Sequence, residues 1–310
     1  MAQNQPIIHF AQYAAARTAA MLLGLFPVNA NLRTARAVGS MLWKFDRKHR
    51  KRAMENLRAS FPEKEEKELE YIAERSMQHF IELVMDVLFT PRQIHVETWS
   101  EYVHLSGLED PLRMLLRQRG AIMLTAHYGN WEVLGYTLAT LGFRTYSVAR
   151  PIDNPLIDEW VLGVREKKGQ IILSKRGVTT TANQVLENRD VIGFIADQNA
   201  GPKGMFVPFF GRLASTYKSI GLLAIQNNLP IIIGYARRRG DRFEFDIGVE
   251  DIIHPEDWAN EPDELRYVTT RYTRAIEDFV RADPTQYLWI HRRWKTRPKG
   301  EVAGSVAGVG

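Results

Sequence analysis

Two hydrophobic rhythms divide the chain. Leu69, Ile72, Met77, Phe80, Leu83, Val84 and Val87 recur at helical spacing through a charged background, which predicts one long amphipathic helix after the break at Phe61-Pro62. Met77 and His79 lie inside that pattern and need no role beyond packing or surface. Farther on, short apolar runs take over, and residues 121–126, 145–148, 170–173, 191–196 and 231–235 read as strands with helical spans between several of them. Such alternation predicts an α/β fold with a mostly parallel central sheet flanked by helices. The stretch 242–249, close behind Gly240-Asp241, reads as the second arm of a hairpin at the sheet edge.

The first sixty residues follow neither rhythm cleanly. Residues 6–26 read as a helix lying in or on a bilayer surface, although a soluble helix packed on the main domain fits the same residues. Pro27, Asn29 and Asn31 interrupt the apolar stretch, whereas a spanning helix needs roughly 20 mainly apolar residues. The start, MAQNQ, lacks the positive charge of a signal peptide. The expected organisation is therefore a membrane-associated helical region over 1–60, an α/β domain over 61–298 and a disordered glycine-rich tail over 299–310.

Composition narrows the chemistry. The 310 residues include no cysteine, which removes disulfides, thiolate nucleophiles and cysteine metal sites and leaves His, Ser, Asp and Glu to carry any reaction. The net charge of +5 favours anionic partners such as nucleic acid, a membrane surface, a phosphorylated substrate or an acidic protein. Its dense parts are KFDRKHRKR at 44–52 and HRRWKTRPK at 291–299. Runs of this kind also serve simply as solvated surface.

The stretch AIMLTAHYGNWEVLG, 121–135, is a strand, a tight Gly129-Asn130 turn and the start of a helix. Ligands of open α/β sheets bind at the carboxyl ends of strands, which is where His127 falls. A histidine starts near neutral pKa and serves as a base when a carboxylate orients it. If the turn folds Glu132 back, His127 and Glu132 form such a dyad; as a bare spacing, a surface histidine explains it as well. Signatures of zinc peptidases, phosphate loops and nucleophile elbows are absent from the sequence.

Four stretches in order, AHYGNWE (126–132), SVARPIDNPLIDEWVLGVREKKG (147–169), ADQNAGPKGMFVPFFGRLASTYKS (196–219) and YLWIHRRWKTRP (287–298), resemble the late lipid A acyltransferases, the lauroyl and myristoyl transferase family. The resemblance covers about residues 10–298. It implies a glycerolipid-acyltransferase-like α/β fold with amino-terminal membrane-associated helices. It further implies acyl transfer from acyl carrier protein to a hydroxyl of a lipid A precursor, at the cytoplasmic face of the bacterial inner membrane. It makes His127 the general base and Glu132 its partner, and it places Asn130, Arg150 and Asp197 against substrate. Arg150 is expected to engage a sugar phosphate or the developing charge; the run 206–210, FVPFF, either helps to wall an acyl groove or, as such runs more often do, belongs to the core. Arg292, Arg293, Lys295 and Arg297 are expected to dock carrier protein or anionic lipid. No cofactor, metal or nucleic acid is implied. The alternatives are the same chemistry on a lysophospholipid, aminolipid or glycolipid, or a non-catalytic basic binder.

Overall fold

Four helices precede the sheet: α1 (Gln5–Leu23), α2 (Val28–Phe45), α3 (Arg47–Ser60) and α4 (Glu66–Gln93). The computed structural model describes residues 5–117, 120–149, 151–166, 169–174 and 178–298, so the expected tail at 299–310 lies outside the described residues. Asp46 separates α2 from α3 and caps α3 by accepting the His49 N–H. Both helices bury apolar side chains: Leu32 packs with Phe89 of α4, and Trp43, Met54 and Leu57 join the cluster that contains the central strands. By contrast α1 buries none of its residues, and Ile7, Phe10 and Met21 stand exposed. Among the described residues no helix is long and apolar enough to cross a membrane.

In α4 the predicted residues Leu69, Ile72, Met77 and Leu83 are buried, but so is a second stripe formed by Ser76, His79, Glu82, Asp86 and Thr90. The helix thus presents a polar seam to the protein interior.

The α/β portion continues with α5 (Trp99–Tyr102), β1 (Val103–Ser106), α6 (Glu109–Leu116), β2 (Ala121–Thr125), α7 (Trp131–Thr140) and β3 (Thr145–Ala149). Then come α8 (Pro155–Glu166), β4 (Ile171–Ser174), α9 (Val178–Glu187), β5 (Val191–Ile195), β6 (Met205–Phe209) and β7 (Arg212–Thr216). The last elements are α10 (Lys218–Asn227), β8 (Ile231–Arg238), β9 (Phe245–Ile253), α11 (Pro255–Trp258), α12 (Glu264–Ala282) and a 3-10 turn at Pro284–Gln286.

All five predicted strands form, as β2, β3, β4, β5 and β8, and they lie parallel in the order β8-β2-β5-β3-β4. Side chains alternate between the two faces. Ile122, Leu124, Ile192 and Ile233 meet Val185, Ala224, Val268 and Ile276 from α9, α10 and α12 on one face, while Met123 and Val191 meet Leu115 and Leu138 from α6 and α7 on the other.

One expectation is corrected, and one choice between two readings is closed in favour of the core. The stretch 242–249 enters β9, which runs antiparallel to β8, but β9 is not the sheet edge because β1 pairs outside it. Four residues, Val-His-Leu-Ser, are too short and too polar for a strand signal. The run FVPFF does not wall a groove. It forms β6, paired to β7, and Phe209 and Phe210 are buried among Phe61, Tyr287, Trp289 and Trp294. Full burial of one such ring stabilises by about 2 kcal/mol, which is reason enough for its place.

The topology sets the site. After β2 the chain moves to β3 on one side, and after β5 it returns past β2 to β8 on the other. The carboxyl ends of these adjacent strands therefore open onto a crevice, the usual ligand position in such sheets.

Candidate active site

Register brings the site together. Thr125 pairs with Ile195 at the ends of β2 and β5, and the Ala196 N–H donates to the Thr125 carbonyl at 2.9 Å. Two residues beyond each strand come His127 and Asp197, so the crevice places them side by side. His127 Nδ1 donates to Asp197 Oδ1 at 2.8 Å. Asp197 is 1% exposed. Burial alone would raise its carboxyl, yet the His127 ring it faces and that hydrogen bond hold it well below the usual carboxylate range. It is therefore an anion at neutral pH.

With Nδ1–H committed to Asp197, the neutral imidazole keeps its lone pair on Nε2, 3.3 Å from the Gln198 amide nitrogen, which donates to it. Trp131 and His291 meet the ring edge-on, with centroids at 4.9 and 4.3 Å. Burial, and then the His127 ring beside it, lower His291 to about 4, so His291 is neutral near pH 7. Arg293 fixes the other side of the loop by donating to the Gln198 and Ser215 carbonyls at 3.2 and 2.6 Å. It is 2% exposed, so the docking role expected of it is not available to its side chain.

The turn that carries His127 is clamped. Gly129 adopts φ +55°, and a Cβ there would lie 2.0 Å from the Ala236 carbonyl oxygen, so no other residue fits without moving β8. Its N–H donates to the Gln286 carbonyl, its own carbonyl accepts from His79 Nε2 at 2.9 Å, and the Leu288 N–H donates to the His127 carbonyl. Burial and the positive Arg238 lower His79 to about 3, leaving it the neutral donor this contact needs. Asn130 is fully buried: its Oδ1 caps α7 at the Val133 N–H, and its Nδ2 donates to Asp86 Oδ2 at 2.7 Å. Arg238 closes the network by donating to Asp86 and to the Arg242 carbonyl.

The expected pairing of His127 with Glu132 does not occur. Among the described residues no hydrogen bond or ion pair joins them; Glu132 takes a bidentate pair of bonds from Arg165 of α8, at 2.6 and 2.9 Å, and one from the Trp131 indole. The reason is helical geometry: Glu132 opens α7 and points along it toward α8, while His127 turns toward β5. Asn130 and Asp197, expected to contact substrate directly, are buried and act on the loop and on the ring respectively. Arg150 lies outside the described residues. Sequence reasoning places Gln198 with Asp197 at this sheet edge, as found, but misses Arg165, His291 and the seam of His79 and Asp86. A signal existed for the seam, since a His and two carboxylates recur at 79, 82 and 86 on one helical face.

Beside the dyad lies a cleft walled by apolar side chains of β2, β3, β5 and α7 and carrying the Glu132–Arg165 pair. Trp131 lines both this cleft and the smaller hollow that contains His127. Ligand atoms of His127, Asp197 and His291 all lie within 4.8 Å of one another. Chemically the arrangement supplies a base with an available lone pair, and among the described residues no side-chain hydroxyl or thiol is hydrogen-bonded to it.

Comparison with known proteins agrees with the motif reading. Residues 3–296 match the family described as bacterial lipid A biosynthesis acyltransferase. The chain is 25% identical over 269 residues to the lipid A biosynthesis lauroyltransferase of Escherichia coli K12, covering 85% of this chain and 84% of that protein. It is 28% identical over 270 residues to the lipid A biosynthesis palmitoleoyltransferase of the same organism, with coverages of 85% and 84%. Among solved structures it resembles the 1-acyl-sn-glycerophosphate acyltransferase PlsC from Thermotoga maritima, at a TM-score of 0.36 and 14% identity, covering 81% of this chain and 95% of that one.

Proposed function

The chain belongs to the bacterial lipid A biosynthesis acyltransferase family, and from that premise we propose that it moves a fatty acyl group from acyl carrier protein to a hydroxyl of a lipid A precursor, with His127 as general base and Asp197 as the carboxylate that orients it. The observation that carries the residue assignment is the 2.8 Å bond from His127 Nδ1 to a buried, anionic Asp197, which leaves Nε2 available for a proton. The acceptor hydroxyl replaces the Gln198 amide at Nε2 and gives up its proton as its oxygen attacks the thioester carbonyl. Asp197 stabilises the imidazolium, the carbon–sulfur bond breaks, and the proton passes to the departing thiolate. The acyl chain lies in the cleft beside Trp131, whose walls are apolar. Glu132 serves by holding Arg165 at the cleft rather than by touching the base.

Substrate access follows from the surface. Arg52 Nη1 donates to the Ile290 carbonyl and Asn56 to the carbonyls of Trp289 and His291, so the basic face of α3 adjoins the basic carboxyl-terminal segment next to the site. That surface suits an acidic carrier protein or anionic lipid. The exposed apolar residues of α1, with Leu25, Phe26 and Phe45, suit the inner-membrane surface at its cytoplasmic face.

The test is mass spectrometry of acyl transfer from several acyl-carrier-protein donors to a lipid A precursor in detergent. We expect wild type to transfer and a folded His127→Ala variant to lose about two to four orders of magnitude in rate. Transfer by wild type to a lysophospholipid and not to the lipid A precursor would replace the acceptor and keep the base. Undiminished transfer by His127→Ala would sink the mechanism.

A further inference from the structure

We propose that His127, Asp197 and His291 form a Zn²⁺ site whose occupation withdraws the lone pair of the catalytic base, making the active centre sensitive to zinc. The shutdown of acyl transfer rests on the function proposed above; the ion site itself does not. Two imidazoles and one carboxylate, contributed by three separate segments, are a donor set that suits Zn²⁺ and poorly suits Mg²⁺ or Ca²⁺, which favour oxygen. Their ligand atoms lie within 4.8 Å of one another. Zinc bonds of roughly 2.0–2.2 Å put neighbouring ligands a little over 3 Å apart, so binding draws the three side chains closer together.

One donor in the cluster has spare capacity: His291 Nδ1 is buried and accepts no hydrogen bond, whereas Asp197 also faces the Tyr287 hydroxyl. A buried polar atom without a partner costs free energy that a metal bond removes. The frame is already set: His291 is held through its backbone by Leu288 and Asn56, and Asp197 by the end of β5. A fourth position is left for water, toward the crevice where the acceptor hydroxyl enters.

Either ring nitrogen of His127 gives the same result. Taken through Nε2, the ion occupies the lone pair that receives the proton. Taken through Nδ1, it displaces the ring proton to Nε2 and breaks the bond to Asp197. In both cases the base is gone, and no covalent step is involved. Arg293, behind the same loop, opposes the added charge and weakens binding relative to a structural zinc centre.

The experiment titrates the full-length, detergent-purified chain with Zn²⁺ against a chromophoric chelator. In parallel, modification of individual histidines by diethyl pyrocarbonate is followed by peptide mass spectrometry. We expect one ion per chain, weakened at least about tenfold in His291→Gln and in Asp197→Asn, and unchanged in His254→Gln, which alters a cap at the opposite edge of the sheet. In wild type, Zn²⁺ is expected to protect His127 and His291 from modification while leaving His254 reactive, and this readout needs no variant. Acyl transfer should fall with the same half-saturation as binding. Equal affinity in wild type and in folded His291→Gln, or no protection of His127 at saturating Zn²⁺, overturns the site. Protection of His127 together with undiminished acyl transfer overturns the claim that the base is withdrawn. Protection in a protein that transfers no acyl chain supports the ion site while removing the proposed reaction.

Discussion

At His127 the two ring nitrogens have separate partners, Asp197 at Nδ1 and the Gln198 amide at Nε2, and the proposed mechanism gives each a distinct duty. Asp197→Asn exchanges the acceptor of Nδ1–H for an amide and favours the wrong tautomer, so we expect acyl transfer to fall by about three to four orders of magnitude with the fold intact. Glu132→Gln and Arg165→Gln should each lower transfer, and the double variant should lose little more than the worse single one, because both break one bidentate pair. A double-mutant cycle on steady-state rates checks this; additive losses would show that Glu132 acts apart from Arg165. Residue identity alone made His127 conspicuous, as a histidine after an apolar strand. It named Glu132 as the partner, whereas the structure puts Asp197 against the ring. The acidic residue five positions away on the chain is distant from the ring in direction, and the one seventy positions away is in contact.

At the scale of elements, α4 does more than cover the sheet. Its apolar stripe was legible because seven residues keep helical spacing, whereas its polar seam reads in the sequence as ordinary surface. Only the packing of α4 against the 126–130 turn and β8 shows that His79, Glu82 and Asp86 are interior. Burial in such a seam has a measurable sign. His79 falls from 6.5 in the unfolded chain to about 3 in the native one, so between those values the unfolded state binds the extra proton. The stability of wild type therefore drops as pH falls from 6.5 toward 3, by up to about 1.4 kcal/mol per pH unit for this one group. Asp86 works in the opposite sense, because burial pushes its carboxyl up to about 7 in the native state. Urea titrations at several pH values isolate the histidine: wild type minus His79→Gln should lose stability across pH 6.5 to 3. A difference that stays flat would place a charged or exposed histidine at this position.

For the whole molecule, the arrangement of charge and exposed apolar surface decides where it works. The clusters at 44–52 and 291–297 are far apart in sequence, and the contacts of Arg52 and Asn56 with residues 289–291 make them neighbours. Near them Phe45 is 78% exposed at the end of α2, an unusual setting for a phenylalanine that faces only water. Binding to vesicles containing anionic lipid should therefore weaken in Lys48→Gln/Lys51→Gln by roughly thirtyfold, at about 1 kcal/mol for each charge, and should fall with added salt. Phe45→Ser should weaken it without altering the salt dependence. Sedimentation with vesicles measures both, and a double lysine variant that binds as wild type would assign these cations to a protein partner instead.

Local pattern determined the parallel strands, the long helix after Phe61-Pro62 and the position of His127 at a strand end, because side-chain periodicity and chain breakers act over a few residues. The motif order was enough to indicate the family. The tertiary structure alone decided that β1 and not β9 is the edge, that Phe209 and Phe210 serve packing, and that α4 hides a charged seam. It also decided which carboxylate meets the base. Those outcomes depend on register and topology: β5 lies beside β2, their ends align at Ile195 and Thr125, and a contact across seventy residues has no local periodicity to announce it.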